Sequence, residues 1–448
     1  MTSARPVAGA ALAAAVAFAS AGRTSPDRVD PGRLVVLVVV DTLRADHVGV
    51  YGRSSRDATP NLDRLARRGT WFLDARSAAP WTPPSVQSLL TSLDPAVHGL
   101  DRDAGEYAHR VPRLPAGARP LPELLSASGF RTAAITGGGG MNRLYGFDRG
   151  FGSWYEPVPT TGVDVAAGVD RAIAWLGGLA AGEKAFLLFH TYEVHLPNTH
   201  HLYAPEEEGD ERARSSAAYD GDVAFADREI GRLVAAMERR RLLPRSLVVV
   251  TADHGENLFD RVLAGRGVEH GHHLHDELTH VPLVVVAPGL LPARGAIPGP
   301  VSLLDVTPTI LSLVGADPPS YPLQGRDLRR DLQLGRPLDP NRALFAAAPL
   351  QGPLWQSVRA GRWAYVLAPP VSGPEWWHAL PEPAEAVYDL AADPEERTPA
   401  KDVPSEVRSR LAALLRDRQR HDAGLRDRVG PPTAAPGDGS LRALGYIR

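Results

Sequence analysis

Residues 34–40 read Leu34-Val-Val-Leu-Val-Val-Val40 and run directly into Asp41-Thr42. An unbroken β-branched run without polar alternation predicts a strand buried on both faces, as in the centre of a parallel sheet. Similar runs alternate with amphipathic helical segments, and this alternation favours a doubly wound α/β fold. The further predicted strands are residues 132–136, 185–190, 247–251 and 283–287, and the predicted helices are residues 61–69, 121–129, 163–179 and 220–240.

The pattern changes after about Leu290, where proline and glycine become frequent and residues 317–322 form a linker-like turn region. Short strand patterns then precede a basic amphipathic helix, and a polar tail rich in proline and glycine follows. We therefore expect an α/β domain at residues 33–325 and a smaller C-terminal α+β subdomain at residues 326–448. The segments concerned are 354–367 and 386–390 for the strands, 406–419 for the helix and 420–439 for a surface extension.

The composition excludes several kinds of function. The 448 residues carry 49 lysines and arginines against 52 acidic residues, a net charge of -3. A nucleic-acid-binding protein would show a basic excess, so no nucleic-acid partner is expected. The chain contains no cysteine, which excludes disulfides, thiolate metal ligands and a cysteine nucleophile.

The N-terminal residues 1–22 have the pattern of a secretory signal peptide. Arg5 precedes the short apolar, alanine-rich stretch 7–21, which ends in small residues. The stretch is short for a membrane-spanning helix, and Arg23 stands where a lipoprotein would have a cysteine. We expect export to the periplasm or the extracellular space, with proximity to a membrane if this segment stays attached as an anchor. A disordered leader is the alternative.

Acidic residues follow two of the predicted strands directly. The first strand leads into Asp41, and the strand at 247–251 leads into Asp253-His254-Gly255-Glu256. Because ligands of open α/β sheets bind outside the carboxyl ends of the strands, Asp41, Asp253 and His254 should converge if these strands are parallel neighbours. Two carboxylates and an imidazole suit a divalent cation. An aspartate at a strand end is also a common turn former or helix cap, and for Asp41 alone that reading is equally good.

The sequence as a whole resembles the sulfatase family of the alkaline-phosphatase-like superfamily, in motifs that follow family order from about residue 34 to the end. The resemblance implies an alkaline-phosphatase-like, doubly wound, mostly parallel sheet flanked by helices, with a smaller C-terminal α+β subdomain. The matching segments are 40–47 with Tyr51-Gly52, 59–66, 81–92 with Pro95 and His98-Gly99, 146–151, 251–256, 269–277, 281–283, 302–309, 387–394 and 444–446.

Departures from the family pattern bear on the chemistry. Sulfatases carry Cys-x-Pro-x-Arg, with the cysteine oxidised to formylglycine, whereas this chain has Thr82 at the cysteine position and Val86 at the arginine position. No cysteine-derived formylglycine can form here. The second aspartate of the usual Asp-Asp pair is Thr42. The set is similar to that of the phosphoryl-transfer relatives, in which a metal-activated threonine or serine attacks phosphorus.

The resemblance implies a role for each residue of the set. Asp41, Asp253, His254 and Thr82 would hold one divalent cation (Mn, Zn, Ca or Mg), and Thr82 would act as the nucleophile once the cation has lowered its pKa. A helix beginning near Ser85, with two prolines in its first turn, would place that hydroxyl near an anion-binding helix end. Without the family pattern, Thr82 would be interpreted as a plain helix cap.

The histidines divide into two groups. By resemblance, His195 and His270 would contact the transferred group and protonate the leaving oxygen, since imidazole has a suitable pKa. The other histidines of the region are interpreted as loop residues without a role. Glu193 with some of these histidines, or the Asp276-x-x-x-His280 spacing, could instead hold a second cation, but such short spacings are common by chance. The histidines interpreted as having no role are His190, His272, His273, His275 and His280.

The predicted activity is hydrolysis of phosphate mono- or diesters or of phosphonates in a small-molecule, glycan or lipid anionic ester. Three alternatives remain open: sulfate-ester hydrolysis without formylglycine, transfer of a phospho-group to an envelope acceptor, and a degenerate member that binds anions without catalysis. Specificity is expected to come from loops at residues 101–115, 196–218 and 260–267.

Overall fold

A computed structural model of the protein describes residues 32–52, 57–100, 110–157, 164–200, 202–203, 210–263, 266–347, 350, 354–368 and 384–436. Within them a mixed eight-stranded sheet forms the centre of the molecule. The strands are β1 (Leu34–Val40), β2 (Thr70–Arg76), β3 (Arg110–Arg113), β4 (Arg131–Ile135), β5 (Ser153–Tyr155), β6 (Ala185–Thr191), β7 (Ser246–Thr251), β8 (Asn257–Leu263), β9 (Arg266–Glu269), β10 (Leu283–Val286), β11 (Gly295–Ser302), β12 (Leu344–Ala347), β13 (Gln356–Ala360), β14 (Trp363–Leu367), β15 (Glu385–Asp389) and β16 (Thr433–Pro436).

The central sheet has the order β11-β2-β10-β7-β1-β6-β4-β5. Strand β1 pairs in parallel with β6 on one side and with β7 on the other, and all seven of its residues are buried. The run of valines is therefore covered by strands at both edges and by helices on both faces, as predicted. Strand β10 runs antiparallel to both β7 and β2, so the sheet is mixed, with mostly parallel pairs.

Helices pack on both faces of this sheet. The predicted helices all form, but the one predicted from residue 220 begins earlier, at Glu211, and so takes in part of the predicted loop 196–218. The helices are α1 (Pro60–Ala66), α2 (Thr82–Thr91), α3 (Pro95–His98), α4 (Leu121–Ala127), α5 (Val165–Gly177), α6 (Glu211–Arg239), α7 (Asp276–Thr279), α8 (Val306–Val314), α9 (Arg329–Leu334) and α10 (Ser405–Val429).

Three strands of the central sheet, β2, β5 and β11, were not among the predicted strands. β5 is only three residues long. β2 carries charged residues at Asp74 and Arg76, which hide its alternation. β11 contains Pro298 and Pro300 and shows a register irregularity between Ile297 and Pro300. It lies at the sheet edge, where proline removes no interior ladder bond. The prolines of β11 therefore argued against a strand in the sequence, although the edge position tolerates them.

A separate four-stranded antiparallel sheet, in the order β12-β13-β14-β15, follows the central sheet in the chain. One of its faces packs under α10, where Val358, Tyr365 and Leu411 belong to one buried cluster. Its other face holds Trp355 and Tyr388 together with Leu274, which comes from the segment before α7. The small sheet thus packs against the segment of the α/β domain that carries Leu274.

The prediction of a surface extension at residues 420–439 is wrong for the part that the structure describes. Helix α10 continues to Val429, because Leu425 and Val429 complete an apolar stripe that packs on Val97 and Leu114. Strand β16 then pairs antiparallel with β3. Residues 260–263 and 266–267 of the predicted loop likewise belong to a hairpin formed by β8 and β9. Residues 101–109 of the predicted specificity loop lie outside the described residues.

Of the helices in the described residues, none combines the length and the apolar character that a membrane span requires. Residues 1–22, on which the export prediction rests, fall outside this part of the chain.

Candidate active site

The carboxyl ends of β1 and β7 bring together the residues predicted to bind a cation. Asp41 follows β1, while Asp253 and His254 follow β7 two residues after its end. All three side chains are fully buried. One ligand atom from each lies within 4.8 Å of the others. The predicted convergence of Asp41, Asp253 and His254 is therefore observed, and the parallel pairing of β1 with β7 produces it.

The hydrogen bonds around these side chains leave three ligand atoms directed at one another. Asp253 Oδ1 accepts from the backbone N–H groups of Thr42 (3.3 Å) and His254 (2.9 Å). Asp253 Oδ2 and Asp41 Oδ1 have no hydrogen-bond partner among the described residues. His254 Nδ1 lies 2.9 Å from the Gly255 carbonyl, which can only accept, so Nδ1 carries the proton and Nε2 presents a lone pair.

The His254 Nε2 atom lies 3.5 Å from Asp41 Oδ1 and 3.5 Å from Asp253 Oδ2. Two buried carboxylate oxygens without hydrogen-bond donors and one imidazole lone pair are what a divalent cation takes as ligands. Unsatisfied buried acceptors are costly, so this arrangement fits a bound cation better than a structural role.

The electrostatics of the site support the same interpretation. Burial, followed by the charge of Asp253, raises the pKa of Asp41 well above its usual range. Burial also raises the pKa of Asp253, and it lowers the pKa of His254 well below its usual range. Protein alone disfavours two charged carboxylates here, whereas a cation between them would favour both.

Thr82 is the first residue of α2 and is fully buried. Its Oγ1 donates to Asp41 Oδ2 at 3.3 Å and lies 3.3 Å from His254 Nε2. Trp81 precedes it in an extended conformation, and Pro83 and Pro84 fit the first helical turn, which needs no N–H donors. Helix α2 starts at Thr82, three residues earlier than predicted, so the hydroxyl sits at the helix N-terminus itself.

Ser85, in the first turn of α2, connects this helix to the segment that carries Asp253. Ser85 Oγ donates to the carbonyl oxygen of Asp253 at 2.5 Å and lies 2.9 Å from Ser77 Oγ. This contact fixes the start of α2 against the end of β7. The distance from Thr82 to the carboxylates is thereby set by a hydrogen bond between two elements.

His270 faces the same centre from the end of the β8–β9 hairpin. Its Nδ1 lies 3.0 Å from Glu256 Oε2, and both side chains are buried. Burial alone would lower the pKa of His270, but the charge and hydrogen bond of Glu256, with Asp41 and Asp253 nearby, raise it. His270 therefore favours the protonated form, in which Nε2 can donate.

His195 has a different environment. Its Nδ1 lies 2.8 Å from the Leu196 carbonyl oxygen and its Nε2 lies 2.8 Å from the Tyr192 hydroxyl, against whose ring it stacks at 4.0 Å. Burial and the neighbouring His270 lower its pKa well below the usual range. His195 is therefore neutral. Its Nε2, which was expected to face the transferred group, is instead in contact with the Tyr192 hydroxyl.

Sequence reasoning missed three side chains of this centre: Glu256, Tyr192 and His190. His190 was interpreted as a loop histidine, but it lies in β6, is buried, and has Nε2 at 3.4 Å from Asp41 Oδ2. Burial lowers its pKa to about 4. A polar residue near the end of an otherwise apolar buried strand was the signal in the sequence, since Ala185–Thr191 reads AFLLFHT.

The residues considered for a second cation are engaged elsewhere. Glu193 Oε1 pairs with His200 Nε2 at 2.7 Å, and Oε2 accepts from the Val165 N–H at 3.1 Å. His280 Nε2 contacts the Leu73 carbonyl at 3.0 Å, and Asp276 pairs with Arg76. Over the described residues, Asp41, Asp253 and His254 are the one group that meets with metal-ligand geometry.

The remaining histidines of the region support the structure around the site. His272 pairs with Glu269 at 2.7 Å, and His273 lies 3.7 Å from Glu277. His275 packs edge-on against Tyr388 of the small sheet, at 5.3 Å between ring centroids.

A mixed α/β sheet flanked by helices and a small separate antiparallel sheet define an alkaline-phosphatase-like fold, and the buried Asp-Asp-His set could hold a cation. The family model for sulfatases matches residues 33–316 of the chain. The protein therefore belongs to the sulfatase family, whose members are metal-dependent hydrolases of ester bonds.

Comparison with individual proteins also finds sulfatases. N-acetylgalactosamine-6-sulfatase from Canis lupus familiaris is 26% identical over 343 residues, which are 64% of this chain and 63% of that protein. The match thus spans less than two thirds of that relative's length.

Solved structures share the fold. A protein in complex with its substrate D-glucosamine-2-N,6-O-disulfate superposes with a TM-score of 0.70 at 16% identity, covering 87% of this chain and 98% of that chain. A phosphonate monoester hydrolase from Silicibacter pomeroyi superposes with a TM-score of 0.67 at 20% identity, covering 86% and 94%. At these identities the likeness concerns the fold alone.

Proposed function

We propose that the protein is a metal-dependent hydrolase of phosphate esters or phosphonates that uses Thr82 as its nucleophile. The observation that carries this proposal is the position of Thr82 Oγ1, 3.3 Å from both Asp41 Oδ2 and His254 Nε2. A divalent cation held by Asp41, Asp253 and His254 would lower the pKa of that hydroxyl and neutralise charge on the substrate's non-bridging oxygens.

The side chains of the site support a reaction in two steps, formation of a phosphothreonine and its hydrolysis. Thr82 Oγ1 forms a bond to phosphorus as the bond to the leaving oxygen breaks, and the threonine proton passes to Asp41 Oδ2, which already accepts it. His270 gives its Nε2 proton to the leaving oxygen. Water then attacks the phosphothreonine, His270 takes up a proton from that water, and Asp41 returns the first proton to Thr82.

Glu256 supports both steps through His270. Its carboxylate accepts from His270 Nδ1, which orients the ring with Nε2 toward the reacting centre and favours the charged form. Such a carboxylate–histidine pair is the usual way to hold an acid in one tautomer. His195 and Tyr192 lie on the other side of His270, with 4.9 Å between the two imidazole centroids, and we assign them to orientation of the substrate.

Phosphorus is favoured over sulfur for two reasons. The chain has no cysteine, so the cysteine-derived aldehyde hydrate of sulfatases cannot release sulfate here. A threonine that attacked a sulfate ester would be left as a threonine sulfate, which is hard to cleave. The fold neighbour that is named a phosphonate monoester hydrolase shows that this fold accommodates a phosphorus substrate.

The charge of the site favours substrates with a single negative charge. Val86 stands where the sulfatase pattern has an arginine, and it brings no charge to the transferred group. His270 is the histidine of the centre whose pKa is raised, so it adds one positive charge. Phosphodiesters and phosphonate monoesters match this charge better than doubly charged phosphate monoesters.

The test is a substrate panel on metal-free protein reconstituted with Mn²⁺ or Zn²⁺. Aryl phosphodiesters, phosphonate monoesters, phosphate monoesters and sulfates should be compared for wild type, Thr82→Ala, Thr82→Ser and Thr91→Ala. Thr91 lies at the other end of α2 and is also buried, so it controls for helix damage. We expect turnover of phosphorus substrates that Thr82→Ala abolishes and Thr91→Ala retains.

Other outcomes would replace the proposal. Aryl-sulfate turnover above phosphorus turnover would favour the sulfate-ester alternative. A product linked to an added acceptor alcohol would identify a transferase. Equal rates for wild type and Thr82→Ala would exclude a threonine nucleophile, and no binding of any divalent cation would favour a non-catalytic member.

We also propose that residues 33–325 form the catalytic domain and residues 326–448 the smaller subdomain. The four strands β12–β15 and helix α10 support this division, since they form a sheet and clusters of their own. Limited proteolysis between the two sheets should release fragments with these boundaries. The pairing of β16 with β3 predicts that the fragments stay associated after cleavage.

Export is proposed on the N-terminal pattern. Removal of residues 1–22 should retain the protein in the cytoplasm, and cell fractionation of the full chain would measure this. Mass determination of the exported protein would show whether the segment is cleaved near Ala21 or kept as an anchor.

A further inference from the structure

His190 lies beside Asp41 on the neighbouring strand of the sheet. In the parallel pairing of β1 with β6, His190 is opposite Val39, two residues before Asp41. The Asp41 N–H donates to the Thr191 carbonyl at 2.9 Å, so the backbone of Asp41 is held by the same end of β6. The His190 side chain is buried, and its Nε2 lies 3.4 Å from Asp41 Oδ2.

The other ring nitrogen of His190 determines its tautomer. The backbone N–H of Gly137 donates to His190 Nδ1 at 3.3 Å. A backbone N–H can only donate, so Nδ1 must present its lone pair and the neutral ring carries its hydrogen on Nε2. A nitrogen that carries a hydrogen cannot ligate a cation, so Nε2 presents an N–H group, and not a lone pair, toward Asp41.

Gly137 can reach this position because it has no side chain. A Cβ added there would lie 2.4 Å from the backbone nitrogen of Tyr192 and 3.1 Å from the carbonyl carbon of Thr191. The loop after β4 therefore packs directly on the end of β6. The donor that sets the His190 tautomer is built into this close backbone contact.

The donor from His190 distinguishes the two oxygens of Asp41. Oδ2 accepts from the Thr82 hydroxyl and lies 3.4 Å from His190 Nε2, which has no hydrogen-bond partner among the described residues. Oδ1 has no hydrogen-bond partner in the described parts of the chain and lies 3.5 Å from His254 Nε2. One oxygen thus accepts from the Thr82 O–H and has the His190 N–H beside it, and the other remains for a cation.

We propose that His190 is a positioning residue that holds Asp41 with Oδ2 toward Thr82 and Oδ1 toward the cation. This inference rests on the proposed metal-dependent function, and it adds to that function a residue outside the ligand set. Outer partners that orient a ligating carboxylate typically change metal affinity or activity by roughly 10- to 100-fold when they are removed.

The test compares two substitutions of similar size. His190→Gln keeps an N–H donor near the Nε2 position, whereas His190→Leu removes it. Affinity for Mn²⁺ or Zn²⁺ would be measured by titration calorimetry on metal-free protein without substrate. We expect His190→Leu to bind roughly 10- to 100-fold more weakly, and His190→Gln to recover most of that loss.

His98 provides the matched control. It is also fully buried, its Nε2 lies 3.0 Å from Ser88 Oγ, and it belongs to α3 rather than to the site. His98→Leu should lower the melting temperature while the cation affinity stays at the wild-type value. A purely structural role for His190 would give the same pattern in His190→Leu, and that result would overturn the proposal.

A second measurement is independent of any substitution that might unfold. Nitrogen NMR of histidine-labelled protein should show His190 with a hydrogen on Nε2 and none on Nδ1, before and after cation addition. A hydrogen on Nδ1, or loss of the Nε2 hydrogen when the cation binds, would contradict a donor role.

The two proposals fail in different ways. Wild-type protein that binds the cation but turns over no phosphorus substrate would remove the proposed function and leave the role of His190 intact. Unchanged affinity in His190→Leu would remove the role of His190 alone. Wild-type protein without cation affinity would overturn both.

Discussion

Glu256 Oε2 lies 3.0 Å from Nδ1 of His270, and both side chains are buried beside the carboxylates of Asp41 and Asp253. The pair forms because the chain turns from the end of β7 into the β8–β9 hairpin and returns, so that two residues 14 positions apart meet. It gives the site a histidine whose pKa is raised, next to three histidines whose pKa is lowered.

Substitution of Glu256 by glutamine is expected to shift the pH dependence of activity. In wild type the raised pKa keeps His270 protonated below that pKa, and activity is lost as the pH rises through it. Glu256→Gln removes the charge that raises the pKa, so the alkaline limb should move to lower pH. The maximal rate should fall by roughly 10- to 100-fold.

The profile of kcat/KM against pH measures this shift. Glu269→Gln is the matched control, because Glu269 forms the same kind of pair with His272 at 2.7 Å in a less buried place. An alkaline limb that stays in place in Glu256→Gln would show that His270 is not the acid.

Removal of the cation is expected to make stability depend on pH. The pKa values of Asp41 and Asp253 are raised above the ordinary 3.8, first by burial, so the metal-free folded state binds protons that the unfolded chain has released. Stability is therefore favoured at low pH and is lost as the pH rises above the unfolded value. Added Mn²⁺ or Zn²⁺ should reverse this loss, since a ligand at 100 times its Kd stabilises by about 2.7 kcal/mol.

Thermal melts of metal-free protein at roughly pH 5 and roughly pH 8 would measure the effect, with and without the cation, over the range where the carboxyls are titrated. The shift in Tm should be larger at the higher pH. Asp253→Asn should lose the shift at both values, whereas an equal shift in wild type and Asp253→Asn would contradict the assigned ligand set.

The turn after β1 depends on Tyr219. Thr42 has a φ of 61°, which a β-branched residue rarely adopts, and its N–H donates to Asp253 Oδ1. The Tyr219 hydroxyl holds this turn, because it donates to the Thr42 carbonyl at 2.7 Å and accepts from the Arg44 N–H at 2.9 Å.

Tyr219→Phe is expected to destabilise the protein, because each buried backbone group left without a partner costs about 1–3 kcal/mol. It should also weaken cation binding, since the Thr42 turn orients Asp253. Urea unfolding and titration calorimetry would measure the two effects. Tyr51→Phe is the control, because the Tyr51 hydroxyl accepts from the Leu283 N–H at 2.8 Å, a contact that involves neither Thr42 nor Asp253. It should leave cation affinity unchanged.

The small sheet is expected to hold the segment that carries His270. Leu274 of this segment packs with Trp355, and the Leu350 N–H donates to the Gly271 carbonyl at 2.6 Å. Trp355 is only 2% exposed, so Trp355→Ala should cost about 3–5 kcal/mol. Activity should fall because His270 loses its support.

Hydrogen exchange in residues 269–277 would test this coupling, with Trp363→Ala as the control, since Trp363 is partly exposed on the same sheet. Faster exchange confined to the small sheet in Trp355→Ala, with slow exchange in 269–277, would show that the two are independent.

The sequence predicted five of the eight strands of the central sheet and the residues that meet at the ends of β1 and β7. The valine run of β1 specifies a buried strand by composition alone, and Asp41, Asp253 and His254 follow their strands directly, so their convergence required only that the strands be parallel neighbours. Thr82 was found by its place in an ordered family pattern. These features are local, or depend on a single pairing.

The tertiary structure decided what lies around those residues. The order β7-β1-β6 places His190 against Asp41, and the hairpin return places Glu256 against His270. Neither contact has a spacing that a sequence reveals, because each depends on which strands become neighbours. The proline-rich β11 and the continuation of α10 to Val429 were also missed, since partners far along the chain override local propensity there. Sequence thus supplied the residues proposed as cation ligands, and the packing of distant strands decided which side chains surround them.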